Sequence, residues 1–332
     1  MTKLKISLIA ILMAVATIIT PLNASAAPAQ NPSNGGNGLR ISPVRSTITI
    51  EPGKTQTVNI YVTNVTTVPA VIKGVVNDFT AKKDETGSPA VILDPNQYSS
   101  SHSLKRFTTP LGKYSLNPGQ TITVPVEIKV PANAAGGGYF GVVRFAPASS
   151  SGAENSNVSL AGSVGSLILA KVPGDYKELM TLKSFDVRQK DDPSSIFTTN
   201  KNLTSTIRFE NKGNVHEQPF GKIILRDRSG KIIYQTEVNN TIPPSNVLPD
   251  SIRKFNVPLK NVGSFGKYKV EGNFGYGSSG QLLSATTTFY VIPKAVIIGV
   301  IFLIFLILFL IFGMPKLIRA YNRRVLRNAR RH

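Results

Sequence analysis

Histidine is the side chain best suited to move protons near neutral pH, and the 332-residue chain contains only His102, His216 and His332. His102 lies in a serine-rich segment, and His216 follows Asn211-Lys212-Gly213-Asn214-Val215. A hydrolase needs a nucleophile, a base and an orienting group, and neither histidine stands in a recognised motif of that kind. His216 is therefore predicted to be a strand-edge histidine that pairs with a carbonyl. A catalytic pair of His216 with a carboxylate stays open as an alternative.

Two pairs of adjacent carboxylates, Asp84-Glu85 and Asp191-Asp192, have the residue types that glycosidase chemistry requires. A lysine directly precedes each pair, so both are predicted to be exposed loop charges. Gly136-Gly137-Gly138 leads into the strand-like run Tyr139–Phe145 rather than into a helix, which argues against a phosphate-binding loop. With no calcium-loop or H-E-x-x-H motif and no cysteine, the sequence predicts no catalytic residue, no metal site and no cofactor.

The N-terminus has the order of basic, apolar and small residues that is typical of a secretory signal peptide. Two lysines precede the apolar run Ile6–Ile19, and Ala24-Ser25-Ala26 follows it. A membrane anchor is the alternative, but about 14 residues are few for a hydrocarbon core of ~30 Å. We expect cleavage after Ala26, so that residues 1–26 are removed and residues 27–38, rich in Pro, Asn and Gly, form a disordered leader.

A second apolar segment, residues 295–314, contains no charge and predicts a transmembrane helix. A buried core helix is the alternative, but such a helix would not be apolar on every face. Residues 315–332 form a basic tail without acidic residues. Basic residues directly beyond a span mark its cytoplasmic side, so we expect a cell-membrane protein with the ectodomain outside and the tail inside. Leu317, Tyr321 and Val325 recur at every fourth position, so the tail and span are expected to contact membrane lipid.

The formal net charge of +20 suggests a nucleic-acid partner, but the distribution of the charge does not support one. Ten of the 38 Lys and Arg residues lie in the signal peptide, beside the apolar segment or in the tail. The remaining 28 face 18 acidic residues in the ectodomain, which leaves a net charge of +10 there. These charges are scattered, and no row of aromatic residues offers a stacking platform for bases. We predict no nucleic-acid partner, because a mild positive charge outside a membrane suits an anionic wall polymer better.

Hydrophobic residues recur at every second position in runs around Ile60, Val126 and Ile207. This period places one face of a strand on a core and the other in water, as in antiparallel sheets. Pro and Gly at short spacing, without a capped helical period, favour sandwiches over alternating strands and helices. The predicted fold class is all-β, with two tandem immunoglobulin-like β-sandwich domains (residues 39–174 and 175–292) followed by a single C-terminal transmembrane helix.

One turn-and-strand element occurs twice, at Pro52-Gly53 and at Pro118-Gly119. Pro presets φ at the second turn position and Gly supplies a positive φ at the third, so both predict type II turns that lead into strands. A binding loop is the alternative to this structural role. In the second half, Asp227-Arg228-Ser229-Gly230 between the runs Lys222–Arg226 and Ile232–Thr236 predicts a β-hairpin.

Four features follow one another along the mature chain: Leu39-Arg40-Ile41-Ser42-Pro43, the two Pro-Gly turns, the run Gly136–Phe145 and the segment Phe209–His216. With a second β-domain, one span and a basic tail behind them, they resemble the WxL-interacting protein family of Gram-positive-type bacterial surfaces. The resemblance implies two membrane-tethered immunoglobulin-like domains. It also implies that the first binds peptidoglycan or a WxL protein and that the second binds a host protein. It identifies no individual binding residue.

The sequence as a whole therefore predicts a non-enzymatic, single-pass protein that displays two β-sandwiches at the cell surface. The expected partner is a cell-wall polymer (peptidoglycan) or a wall-attached surface protein, recruited by loops or by exposed strand edges. An accessory or chaperone-like scaffold subunit of a membrane-associated assembly is the alternative.

Overall fold

The computed structural model describes residues 38–148 and 162–329, with the backbone alone for residues 324–329. The predicted signal peptide with its cleavage site at Ala26 and residues 27–37 of the predicted leader lie outside the described residues. The described chain is mostly β-sheet, as the alternating pattern predicted, and has one long apolar helix near its C-terminus.

Residues 39–172 form nine strands whose apolar faces share one core. One sheet has the order β1-β3-β7, and the other has the order β2-β9-β8-β4-β5, with β6 also paired to β4. The strands are β1 (Leu39–Ser42), β2 (Arg45–Thr49), β3 (Thr55–Asn64), β4 (Ala70–Ala81), β5 (Pro89–Val91), β6 (Lys113–Leu116), β7 (Thr121–Lys129), β8 (Gly137–Pro147) and β9 (Val164–Val172). A 3₁₀ turn, Lys105–Phe107, precedes β6.

Residues 180–291 form nine further strands around a second core. Their two sheets have the orders β11-β10-β13-β16 and β12-β18-β17-β14-β15. The strands are β10 (Met180–Gln189), β11 (Asp192–Pro193), β12 (Ile196–Phe197), β13 (Leu203–Asn211), β14 (Phe220–Arg226), β15 (Ile232–Val238), β16 (Ser251–Pro258), β17 (Gly266–Tyr276) and β18 (Gln281–Val291). The predicted domain boundary at residues 174/175 falls in the connection between β9 and β10 and stays a prediction.

The predicted alternation and the predicted turns are confirmed. Ile60 on β3, Val126 on β7 and Ile207 on β13 are each fully buried. Gly53 and Gly119 have φ values of 78° and 72°, as a type II turn requires at its third position. Since β3 and β7 pair with each other, each turn closes onto the end of the other strand: the Gly53 N–H donates to the carbonyl of residue 130 and the Gly119 N–H to that of residue 64. The predicted hairpin is formed by β14 and β15.

The two halves of the described chain, residues 39–172 and 180–291, repeat one local arrangement. It is built on the last residues of β3 and β13, Asn64 and Asn211. Both side chains are fully buried. Each Oδ1 accepts the N–H two residues further on, and each Nδ2 donates to the carbonyl four residues further on and to a more distant carbonyl. In both halves the same amide therefore satisfies the backbone of the loop that follows the strand, which buried polar groups require.

The C-terminal helix contains the predicted span. It begins three residues after β18 and comprises α1 (Lys294–Leu308), a π-helical turn (Phe309–Gly313) and α2 (Met314–Ala329). Among the described residues, the stretch 294–323 is the one helix long and apolar enough to cross a membrane, and none of its apolar window is buried against the sheets. A buried core helix is thereby excluded for this segment.

Candidate functional site

The hairpin loop between β4 and β5 reaches from the first half of the chain to the second. It places Glu85 against β13, where the Arg208 guanidinium donates two hydrogen bonds to the carboxylate, with 2.7 Å between Nε and Oε2. The Lys254 N–H on β16 donates to the Glu85 carbonyl at 2.8 Å. The hydrogen bond from Arg208 lowers the pKa of Glu85 below its usual value. The two contacts join the halves at this point.

The prediction of exposed charges at Asp84-Glu85 is therefore wrong for one residue of the pair. The Glu85 side chain is 25% exposed because Arg208 covers it. Asp84 is more open, and its carboxylate lies 3.2 Å from the Lys82 ammonium. In the second predicted pair, the Asp191 side chain is 80% exposed, as expected, although it lies 3.6 Å from Lys254.

A second contact between the halves joins two of the motifs that the sequence singled out. Asn214, in the loop after β13, accepts the Gly138 N–H at 2.7 Å through its carbonyl. Its Nδ2 donates to the Gly136 carbonyl at 3.1 Å, and its Oδ1 accepts the Lys177 N–H at 2.8 Å. A Cβ at Gly136 would lie 2.8 Å from the backbone of Gly174. The glycine run thus permits close backbone approach at the start of β8, which is its structural purpose here.

Phe140 on β8 lies beside both His102 and His216. The His102 ring centroid is 5.5 Å from that of Phe140, and the His216 ring centroid is 5.8 Å away, edge on. His102 Nδ1 lies 2.7 Å from the Gly138 carbonyl, and because a carbonyl only accepts, this nitrogen carries the proton. Phe140 also belongs to a small apolar cluster that includes Leu248 from the second half.

His216 does not pair with a carbonyl through Nδ1, contrary to the prediction. This nitrogen is buried and has no hydrogen-bond partner among the described residues. Burial lowers the pKa of His216 to about 4, and repulsion from Lys171 and Arg45 adds to the effect. The imidazole is therefore neutral at pH 7. A histidine that pairs with a carbonyl is present, but it is His102, whose partner is Gly138.

The next residue, Glu217, is a buried carboxyl group that sequence reasoning missed. It is 4% exposed, and burial together with repulsion from Glu178 raises its pKa to about 7. Its Oε2 accepts the Gly277 N–H at 3.0 Å, whereas its Oε1 has no partner among the described residues. Its backbone pairs in both directions with Val247, at 3.0 and 2.7 Å. No local motif distinguishes this glutamate from an exposed one.

Glu178, which repels Glu217, links β9 to the loop after β17. Its Oε1 lies 3.0 Å from the Lys171 ammonium. Its Oε2 accepts both the N–H and the hydroxyl of Ser278 at 2.8 Å. These hydrogen bonds and the ion pair outweigh the effect of burial, so that the pKa of Glu178 is lowered. Lys171 is on β9 in the first half, so this ion pair also holds the junction together.

A cavity of about 400 Å³ lies where the two halves of the chain meet, which we call the junction. Three segments line it: the β4–β5 loop, the end of β13 and the start of β16. Its charged lining residues are Lys82, Lys83, Lys212, Glu85, Glu210 and Asp250, and the others are Ala81, Asn211, Ser251 and Ile252. Positive and negative side chains are equal in number, so the lining is charged but balanced, and its residues come from both halves of the chain.

The arrangement gives a fixed cleft of mixed charge. Among residues 38–148 and 162–329, no three His, Asp or Glu side chains lie close enough together to hold a metal ion. His216 and Glu217 are neighbours in sequence, but they do not bond to each other through their buried atoms. Nδ1 of His216 and Oε1 of Glu217 both lack a hydrogen-bond partner among the described residues. The pairing of His216 with a carboxylate that a catalytic role would require is not present among the described residues.

Comparison with family models gives no match, and no curated protein has a similar sequence. Comparison with solved structures returns several fimbrial chaperones. CfaA, a class 5 fimbriae chaperone, is 14% identical, and the alignment covers 77% of this chain and 99% of that chain with a TM-score of 0.37.

Two further matches come from named bacteria. A chain of the CsuC–CsuE chaperone–tip subunit complex from Acinetobacter baumannii is 14% identical, with 74% and 97% coverage and a TM-score of 0.34. The CupB2 chaperone of Pseudomonas aeruginosa is 10% identical, with 74% and 98% coverage and a TM-score of 0.31. Matches this distant assign no substrate and no partner to this chain.

Proposed function

We propose that this chain is a non-enzymatic protein of the cell membrane that binds a wall-attached protein partner in the cavity at the junction. The observation that carries the proposal is the balanced charge of the cavity lining. Three lysines and three carboxylates face a partner there. A polypeptide carries charges of both signs, whereas an anionic wall polymer would be bound best by an excess of positive charge.

The contacts between the two halves support this role because the cavity lining comes from both halves, and these contacts hold the halves together before a partner arrives. The Glu85–Arg208 pair, the Asn214 hydrogen bonds and the Lys171–Glu178 ion pair all cross between the two halves. A site that is ordered in advance loses less entropy on binding. The cavity therefore suits recognition of a defined segment of a partner.

The position in the cell is part of the same proposal. The helix 294–323, which contains the apolar window, begins three residues after the last strand, so a membrane span would hold the second half against the bilayer and let the first half project outward. The basic tail would face the cytoplasm and attract anionic lipid. The motifs shared with the WxL-interacting family favour the same orientation and the same wall-side partner.

Sedimentation of the full chain, solubilised in detergent, with isolated cell walls tests the proposal. Two wall preparations are compared, one with its attached proteins and one from which the proteins have been stripped. We expect pelleting with the intact walls alone. Pelleting with both preparations would assign the ligand to the polymer, and no pelleting with either would refute wall binding.

A charge reversal locates the site. Lys212→Glu changes a cavity lysine whose side chain is 53% exposed, and should abolish pelleting. Lys222→Glu on β14 makes the same change on an exposed residue outside the cavity, and should pellet like the parent. The chaperone-like scaffold predicts a different result: stoichiometric membrane partners, recovered in detergent only when residues 294–332 are present.

A further inference from the structure

The last strand of the second half, β18, has an open edge. On one side it pairs with β17 along its whole length. On the other side only β12 pairs with it, through Ile196 with Tyr290 and Phe197 with Val291. The Tyr290 N–H points to this second side, where it donates to the Ser195 carbonyl at 2.8 Å.

The free backbone groups of this edge follow from that register. The pairing with β17 shows no bulge, and N–H and C=O directions alternate along a strand. Positions 282, 284, 286 and 288 therefore direct their N–H and C=O groups to the same side as Tyr290. No backbone partner from the described residues meets them.

The equivalent edge of the first half is covered. There β2 pairs in parallel with β9 over five residues, Arg45 to Thr49. The parallel strand in the same position of the second half, β12, is two residues long. The two halves thus share this feature of their sheets but differ in how much of the last strand is left open.

The composition of β18 does nothing to block pairing. Natural edge strands usually carry a charge, a proline or a bulge that prevents another strand from adding to them. Every described strand that ends a sheet and is longer than two residues contains at least one charged residue or a proline. Gln281–Val291 contains neither, although it is 11 residues long.

Apolar side chains lie on both faces beside the open edge. On the outer face, Leu282 on β18 is 81% exposed, and Phe220 on β14, two strands further into the sheet, is 59% exposed. The two lie on either side of Gly275, over which the Phe220 ring packs. On the inner face, Phe185 and Leu283 are only partly buried against the core. A strand added to β18 would cover apolar surface on both faces.

We propose that the open edge of β18 binds an extended, uncharged segment of a partner polypeptide, which adds to the sheet as an antiparallel strand. The backbone groups of residues 282–288 provide the hydrogen bonds, and alternate apolar side chains of the partner pack beside Leu282 and Leu283. The antiparallel direction is chosen because it gives the more stable ladder. This surface is separate from the cavity at the junction.

A second copy of this chain is excluded as the partner by the membrane anchor, and this step rests on the proposed function. In an antiparallel pair of β18 strands, one copy's Val291 would lie beside the other's Gln281. The 11 residues of the strand span about 37 Å. With β18 upright on the bilayer, both helices could not enter one membrane, because the three residues from Val291 to Lys294, where the helix begins, reach only ~10 Å.

The test uses a fluorescent synthetic peptide with the sequence of residues 281–291 followed by three lysines for solubility. Free of the anchor, this peptide can pair with the edge in the antiparallel direction. We expect saturable binding to the full chain in detergent. Thr286→Pro, which removes an outward N–H, and Thr286→Lys, which keeps it but adds a charge, should each weaken binding about tenfold or more.

Gln235→Lys, on the edge strand β15 of the same sheet, is the matched control and should bind the peptide like the parent. Absence of binding, or equal binding by the parent and by a folded Thr286 variant, would overturn the proposal. Amide exchange gives a second measurement. In the free protein the N–H groups of 284, 286 and 288 should exchange faster than those of 283, 285 and 287, and the peptide should slow them. Uniform protection without peptide would show that the edge is closed.

In that antiparallel register residue 286 of one copy lies opposite residue 286 of the other, and because the chain has no cysteine, Thr286→Cys places the only thiol at this position. In vesicles, oxidation of this variant should give no dimer, and a disulfide-linked dimer would overturn the exclusion of a second copy. Wall pelleting of the Thr286 variants reports on the proposed function independently. A chain that pellets but does not bind the peptide would refute the open-edge site alone.

Discussion

Replacing Glu217 by Gln should make the stability of the protein strongly dependent on pH, through the neighbouring His216. In the folded state burial lowers the pKa of His216 to about 4, against 6.5 in the unfolded chain. As the pH falls from 6.5 to 4, the unfolded state binds a proton that the folded state does not. The stability contributed by the neutral histidine is therefore complete above pH 6.5 and is lost as the pH falls to 4. The difference corresponds to about 3 kcal/mol.

Glu217 changes the stability with pH in the opposite direction to His216, so the two pH dependences largely cancel in the parent protein. Burial raises its pKa from 4.5 to about 7 in the folded state. Its contribution to stability is complete below pH 4.5 and is lost as the pH rises through 7, again by about 3 kcal/mol. Between pH 4.5 and 6.5 the two slopes offset each other. Glu217→Gln keeps an acceptor for the Gly277 N–H and leaves the histidine slope alone, whereas His216→Leu leaves the glutamate slope.

Urea unfolding of the full chain in detergent, followed by far-UV circular dichroism, measures these slopes. The quantity compared is the free energy of unfolding of each variant minus that of the parent at the same pH, so that the other carboxylates cancel. For Glu217→Gln we expect this difference to rise by about 3 kcal/mol from pH 4.5 to 7, because over that range the parent loses the stability contributed by its neutral Glu217 and the variant does not. For His216→Leu we expect it to fall by about 3 kcal/mol between pH 4 and 6.5. Slopes of the same sign, or no slope in either variant, would refute the assignment of a buried neutral pair.

Three further variants test the junction and the internal repeat. Arg208→Met leaves the partly buried Glu85 carboxylate without its partner and should lower the free energy of unfolding by about 1–3 kcal/mol, as the urea midpoint will show. Arg208 holds the pKa of Glu85 below its usual value, so a loss that does not shrink as the pH falls below the ordinary pKa of a glutamate would contradict the ion-pair explanation. Gly136→Ala would place a Cβ 2.8 Å from the Gly174 backbone and should lower the melting temperature. The control Gly112→Ala, whose Cβ would have no atom within 4 Å, should not lower it, and equal effects of the two variants would rule out the steric explanation. Asn211→Ala removes two hydrogen bonds to buried carbonyls and should cost about 2–4 kcal/mol in the same urea assay, while a loss below about 0.5 kcal/mol would mean that water replaces the amide.

The strands were predictable because the information for them is local. An alternating run such as the one around Ile60 fixes which face of a strand is buried, whatever it packs against. The Gly53 and Gly119 turns were predictable for the same reason, since a positive φ is a property of the residue itself. The span was identified from its length and the absence of charge alone.

The contacts at the junction were not predictable, because they join residues far apart in sequence. Asp84 and Glu85 have the same local surroundings, yet only Glu85 meets Arg208, 123 residues further on. The equivalence of Asn64 and Asn211 follows a weak shared pattern, an Asn four residues before a Val, which acquires meaning only when both loops are seen. The burial of Glu217 depends on strands that precede and follow it.

The sequence by itself therefore determined the kind of element at each position and the apolar segments at the two ends of the chain, because side-chain period, turn geometry and hydropathy act over a few residues. Only the tertiary structure decided which charges pair across the halves, which histidine has a carbonyl partner, and that β12 covers only the last two residues of β18. Those properties depend on the distance between segments that are remote in the chain, and no local pattern encodes that distance.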